Sequence, residues 1–181
     1  MKTIRPTDVI EQAQLAMSLG KRIYDEKLNW RLHDLAEAQN ELAKEFFIIA
    51  LQSPDPEWRE EALSNIGFHY NLENDLSVLA KIRQLLGSDA DDDVRLTAAS
   101  VLGVQSSWPD VTLYRAMIID QNEIVRQVAF RSLLKLAGKN YNEVQEVMRR
   151  VESGEFTPSS DTLRLAVGDE YVDSIGDNLY D

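Results

Sequence analysis

Asp91-Asp92-Asp93-Val94-Arg95-Leu96-Thr97-Ala98-Ala99-Ser100-Val101-Leu102-Gly103 is the stretch that decides the fold. Asp91 is suited to accept hydrogen bonds from the orphan amides of a helix start, and the acids beside it suit the positive end of the helix dipole. Val94, Ala98 and Leu102 recur at helical spacing and form one buried stripe. The small residue in that stripe lets a neighbouring helix come close. Arg95 carries a long apolar stem and a fork that fits carbonyls or carboxylates, so at a fixed place in an array it is expected to tie one unit to the next.

The pattern recurs on both sides. Upstream stands Asp55-Pro56-Glu57-Trp58-Arg59-Glu60-Glu61-Ala62-Leu63-Ser64-Asn65-Ile66-Gly67, and downstream Asn122-Glu123-Ile124-Val125-Arg126-Gln127-Val128-Ala129-Phe130-Arg131-Ser132-Leu133-Leu134. A worn fourth copy is Ser160-Asp161-Thr162-Leu163-Arg164-Leu165-Ala166-Val167. Aligned on Arg59, Arg95, Arg126 and Arg164, the copies lie 36, 31 and 38 residues apart. Between and around them the apolar periodicity is helical, and no alternating strand pattern stands out. Thr7-Asp8 is placed to cap a helix that runs to Leu19 and stops at Gly20. The series Ile23, Leu28, Leu32, Leu35, Leu42, Phe46, Ile49 reads either as one long helix to about Leu51 or as two helices broken near residues 29–34. Ser53-Pro54-Asp55-Pro56 marks a stop and a restart.

The copies at 55–67 and 91–103 resemble the second helix of HEAT repeats, particularly the short kind also seen in phycobilin lyases. The resemblance covers residues 40–137, fades beyond 140, and leaves residues 1–39 as N-terminal capping helices and 138–181 as a degenerate repeat with an acidic cap. It implies an all-α fold: a right-handed α-solenoid of stacked antiparallel helix pairs, about three to four repeats, with second helices on the concave face. The spacing is shorter than that of common HEAT or armadillo units, about 40–47 residues, and the tetratricopeptide and ankyrin signatures are missing.

The chain has 181 residues with no cysteine, which excludes a disulfide scaffold, a cysteine nucleophile and a thiolate metal site. No apolar run approaches the roughly 20 residues that span a bilayer, and the first residues lack the apolar core of a secretory leader, so a cytoplasmic location is expected. Nineteen Lys and Arg stand against 31 Asp and Glu, a net charge of −12. Residues 41–100 hold five basic and twelve acidic side chains, and residues 169–181 hold five acids and no base, while the rest is balanced. Such a field disfavours nucleic acid and anionic membrane and speeds encounter with a basic protein.

Signals for catalysis are weak. His33 and Asp34 are adjacent, and so are Glu60 and Glu61, so on a helix neither pair converges. There is no nucleophile elbow and no glycine-rich phosphate loop. Asp89, Asp91 and Asp93 have the first three spacings of a calcium loop, but Val94 stands where it needs glycine and Ser100 where it needs glutamate. No enzyme, cofactor or metal is expected.

What remains is a surface. Projecting the three best copies onto one another leaves non-core rows of Glu57, Asp93, Ile124; Glu60, Leu96, Gln127; Glu61, Thr97, Val128; and Ser64, Ser100, Arg131, with Phe68, Val104 and Lys135 extending the stripe. Acidic rim beside apolar patches suits protein recognition, unless a capping helix covers them. The expected partner-binding residues are Glu57, Glu60, Glu61, Tyr70, Asp92, Asp93, Leu96, Trp108, Gln127 and Arg131; Arg59, Arg95 and Arg126 are the expected ties between repeats. Trp58 occupies the apolar slot and is expected in the core; Trp108 and Tyr70 either touch a partner or seal a repeat edge. The tail from Gly168, with Tyr171, Val172, Ile175, Leu179 and Tyr180, either caps the last repeat or makes a second contact. A small, acidic, helical-repeat protein is similar to bacterial immunity proteins, which implies a non-enzymatic inhibitor of a basic toxin, a nuclease among the candidates. The other readings are a phycobilin-lyase-like chromophore-handling protein or enzyme subunit, and a general HEAT-repeat scaffold or adaptor.

Overall fold

A computed structural model describes residues 5–21 and 26–177. All regular structure among them is helical: α1 (Pro6–Ser18), α2 (Glu26–Glu37), α3 (Glu41–Ala50), α4 (Pro56–His69), α5 (Leu76–Ser88), α6 (Asp92–Gln105), α7 (Val111–Ile119), α8 (Glu123–Leu136), α9 (Tyr141–Glu152), α10 (Ser160–Val167) and α11 (Asp169–Asp177). The chain divides into two compact units, Met1–Lys81 and Ile82–Asp181. No helix among the described residues is long and apolar enough to cross a membrane.

In the first unit, α1 begins with Pro6 in its first turn, where the missing N–H costs nothing. Thr7-Asp8 therefore lies inside the helix rather than capping it, and the Asp8 carboxylate pairs with Arg5 at 2.7 Å. Gly20, at φ +61°, takes the left-handed conformation that ends α1. The apolar series after it forms two helices, but the break falls at Gln39–Asn40, later than residues 29–34. Leu28, Leu32 and Ala36 are all buried and carry the stripe straight through that earlier window. Gln39 has φ +51°, and the Asn40 side chain then accepts from the Ala43 amide to start α3. Ile23 lies outside the described residues. Helix α2 packs on α1, α3 and α4, and α3 packs on α1 and α4. Trp58 fills the centre as its repeat slot implies; its ring meets Phe46 edge-on and its indole N–H donates to the Lys21 carbonyl at 2.9 Å.

In the second unit, α8 is the hub and packs on α6, α7, α9 and α10. Ala98, Ala99 and Ala129 are fully buried and keep the α6–α8 approach close. At Gly103 a Cβ would lie 2.3 Å from the Ser132 hydroxyl and 3.1 Å from its Cα. That serine donates to the Ala99 carbonyl at 3.0 Å, so the contact is a hydrogen bond seated in a glycine notch. The worn fourth copy is α10, and α11 packs on it with Val172 and Ile175 buried. Trp108 donates to the Ser174 hydroxyl and meets the Tyr171 ring edge-on, which fastens α11 to the loop before α7. Leu179 and Tyr180 lie outside the described residues.

The three best copies share one turn. At its first position Ser53, Asp89 and Asp120 accept, through their side chains, the backbone N–H of the helix cap two residues on. The caps Asp55, Asp91 and Asn122 in turn accept amides of the first turn of α4, α6 and α8. The backbone carbonyls of Ser53, Asp89 and Asp120 each accept from the arginine six residues later, Arg59, Arg95 and Arg126, at 2.7–2.9 Å. The repeated arginine thus clamps the turn that launches its own helix. Arg95 also makes a two-pronged pair with the next copy, to Asp120 at 2.8 and 3.0 Å, and Asn122 reaches back to Asp92 at 2.7 Å. The bonds of Arg59 and Arg126 just described stay within their own copies.

Two stability differences follow. Arg95→Ala strands the buried Asp120 carboxylate and is expected to cost about 3 kcal/mol, against about 1 kcal/mol for Arg126→Ala, in urea unfolding. Equal losses would contradict the special place of Arg95. Gly103→Ala should cost about 2 kcal/mol by overpacking, and adding Ser132→Gly should return about 1 kcal/mol relative to the sum of the single changes; strict additivity would mean the two do not touch.

Candidate functional site

The residues of the expected binding face separate into three kinds. Glu57, Glu60 and Glu61 stand half-buried on α4. Asp93 is exposed and Leu96 half-buried on α6, with Val104 exposed one turn beyond the middle of the helix. Gln127 and Arg131 are half-buried on α8, where Gln127 donates to Glu123 and Ile124 is 57% exposed. The Arg131 Nε is buried without a hydrogen-bond partner among the described residues. Thr97, placed in the non-core rows by the repeat alignment, is buried instead.

The other two kinds are structural or capping. Asp92 receives Arg95 at 2.6 Å and Asn122 at 2.7 Å, and these two donors, Asn122 first, hold its carboxyl below the usual range. Its carboxyl is bonded within the fold while the side chain stays half exposed. Tyr70 is buried and its hydroxyl donates to the Asn40 carbonyl at 2.8 Å. Burial, with Glu41 as a smaller contributor, pushes its phenol up to about 12. Trp108 is half-buried against Tyr171 and Ser174, in the edge-sealing role.

One cavity of the first unit lies between α2 and α4. It measures about 480 Å³ and is lined by Asn29, Trp30 and His33 of α2 and by Glu61, Ser64, Asn65, Phe68 and His69 of α4. Glu61, Ser64 and Phe68 are three successive rows of the predicted face. They point into the cavity's wall because residues three and four apart share one side of a helix. Sequence reasoning missed the α2 half. Trp30 is 66% exposed and Phe68 51% exposed, so two aromatic surfaces stand open to solvent at the rim. His33 and His69 meet edge to face at 4.8 Å between ring centres, and Trp30 meets His33 edge-on.

The polar floor is unevenly satisfied. Asn65 donates through Nδ2 to the Glu61 carbonyl and to Glu61 Oε1, at 2.9 and 2.6 Å. That bond pattern fixes which end of the amide is oxygen, and Asn65 Oδ1 has no donor among the described residues. Asn29 Oδ1 is likewise buried without one among them. The described lining residues include Glu61 as their one carboxylate and neither a lysine nor an arginine. The two imidazoles do not make a metal centre: among the described residues no group of three or more His, Cys, Asp or Glu is placed to hold an ion.

Comparison of the chain with protein-family models, with curated proteins and with solved structures gives no match.

The Tyr70 environment gives a pH signature. The folded phenol loses its proton near pH 12 and the unfolded one near pH 10, so the unfolded chain binds fewer protons between those values. Stability is expected to be level up to about pH 10 and to fall from there towards pH 12. Tyr70→Phe should flatten that fall in urea titrations at fixed pH; an unchanged alkaline slope would mean Tyr70 is not the group responsible.

Proposed function

We propose that this protein is a non-enzymatic protein-binding module of HEAT-like repeats, an α-solenoid whose second helices carry the binding surface, and that its partner is a basic protein. The observation that carries the reading is the coincidence of the α2–α4 cavity with the outward rows Glu61, Ser64 and Phe68 of the repeat alignment. A half-buried acid beside exposed aromatic rings is the composition of an interface core rather than of a solvated helix face. The net charge of −12 favours a basic partner by steering its approach and penalises acidic competitors.

Among such modules, an inhibitor or immunity protein acting in the cytoplasm on a basic toxin is the most concrete form. Carboxylates on α4 would occupy a cleft that otherwise takes phosphate, which is how a small acidic protein blocks a nuclease. A scaffold or adaptor would use the same surface without inhibiting anything.

The test is a tagged pull-down from the native host, eluted by a salt gradient and read by mass spectrometry, with the triple variant Glu57→Lys, Glu60→Lys, Asp93→Lys beside it. A single basic protein released at high salt, and lost at least tenfold by the variant at unchanged melting temperature, is the expected result. Equal capture by the variant would move the binding surface elsewhere. A coloured co-eluate would replace this reading with the chromophore-handling one.

A further inference from the structure

We infer that the α2–α4 cavity is the receptor for one arginine side chain of the partner. This rests on the protein-binding reading and names the chemistry of its central contact. Three observations select the occupant.

The first is the supply of acceptors without donors. Among the described residues Asn29 Oδ1 and Asn65 Oδ1, on two side chains that line the cavity, are buried with no donor, and Glu61 spends Oε1 on Asn65. An unmet buried acceptor is costly, and a cavity holding two of them is complementary to a ligand with several N–H groups. A guanidinium offers five in a fixed plane and accepts none, and it meets such oxygens once the asparagine side chains turn towards it. A lysine ammonium has three donors at a single point and cannot serve acceptors spread over two helices.

The second is the aromatic rim. Trp30 and Phe68 present open rings on the two helices that flank the cavity. A flat cation stacks on such faces, most strongly on tryptophan, and the arginine stem covers the remaining apolar surface. The third is charge. Among the described lining residues Glu61 stands with no lysine or arginine, so a cation entering there meets a carboxylate. A volume of about 480 Å³ has room for a side chain with its water, in the range of small-ligand sites.

The experiment titrates the full chain with the blocked pentapeptide Gly-Gly-Arg-Gly-Gly and with its citrulline counterpart, which keeps the shape and loses the charge. Indole and imidazole NMR resonances report the site, Trp30 being assigned through Trp30→Phe. Saturable shifts at Trp30, His33 and His69, with the buried Trp58 unmoved, are expected for the arginine peptide, with citrulline at least tenfold weaker. Glu61→Gln retains the oxygen that receives Asn65 and should weaken the arginine peptide about tenfold while leaving the Trp58 resonance in place. Equal shifts from both peptides, or none from the arginine peptide, would overturn the inference. If the arginine peptide fails while a basic partner is still captured in a salt-sensitive way, the cavity assignment falls and the protein-binding reading stands. If the peptide binds and no partner protein exists, the cavity assignment stands and that reading falls.

Discussion

The structure depends on one turn built three times. A side-chain acceptor at Ser53, Asp89 or Asp120 holds the cap, the cap holds the first turn of the helix, and the arginine six residues on returns to the carbonyl where the sequence began. Each helix of this kind starts with four amides that have no partner inside it. The turn serves some of them and locks the entry angle, so the face each of α4, α6 and α8 buries is fixed from its first residue. At Arg59 and Arg126 the Nη1 group alone reaches two carbonyls, whereas at Arg95 the planar fork spans a carbonyl and two carboxylates at once. The Arg95 guanidinium is held above its already high range by Asp120 first and Asp92 after it.

Once the entry is fixed, the outward rows are fixed with it. The stripe that packs contains Trp58, Ala62 and Ile66 in α4 and the corresponding Val94, Ala98 and Leu102 in α6, all buried. What lies opposite in α4 is Glu57, Glu60, Glu61, Ser64 and Phe68. Asp92 shows the limit of reading charge as surface: it belongs to the acidic run, yet Arg95 and Asn122 consume its carboxylate.

Much of this was legible in the sequence, because the repeat compares the chain with itself. The caps, the arginines, the alanines and the place of Trp58 all came from three aligned copies. The α2 half of the cavity did not. Residues 1–39 have no aligned copy, so their outward face had nothing to be compared with. Trp30 was the available signal, a large aromatic set among Lys27, Arg31 and Asp34 on a polar stretch of helix. Asn65 was hidden for another reason. An asparagine reads as surface, and only its bonds to Glu61 and its stranded oxygen make it part of a site. The helix break at Gln39 was misplaced because a left-handed glutamine carries no compositional mark.

The central claim is that the outward rows of the second helices, with the α2 wall of the cavity, meet the partner, and that the tail does not. Hydrogen exchange read by mass spectrometry, on the protein alone and saturated with the partner it captures, tests that most directly. The account predicts added protection over α2 and α4 at the cavity and over the outward turns of α6 and α8, with α9 and α11 unchanged. Protection confined to α9, α10 and α11, or spread evenly over every helix, would contradict it.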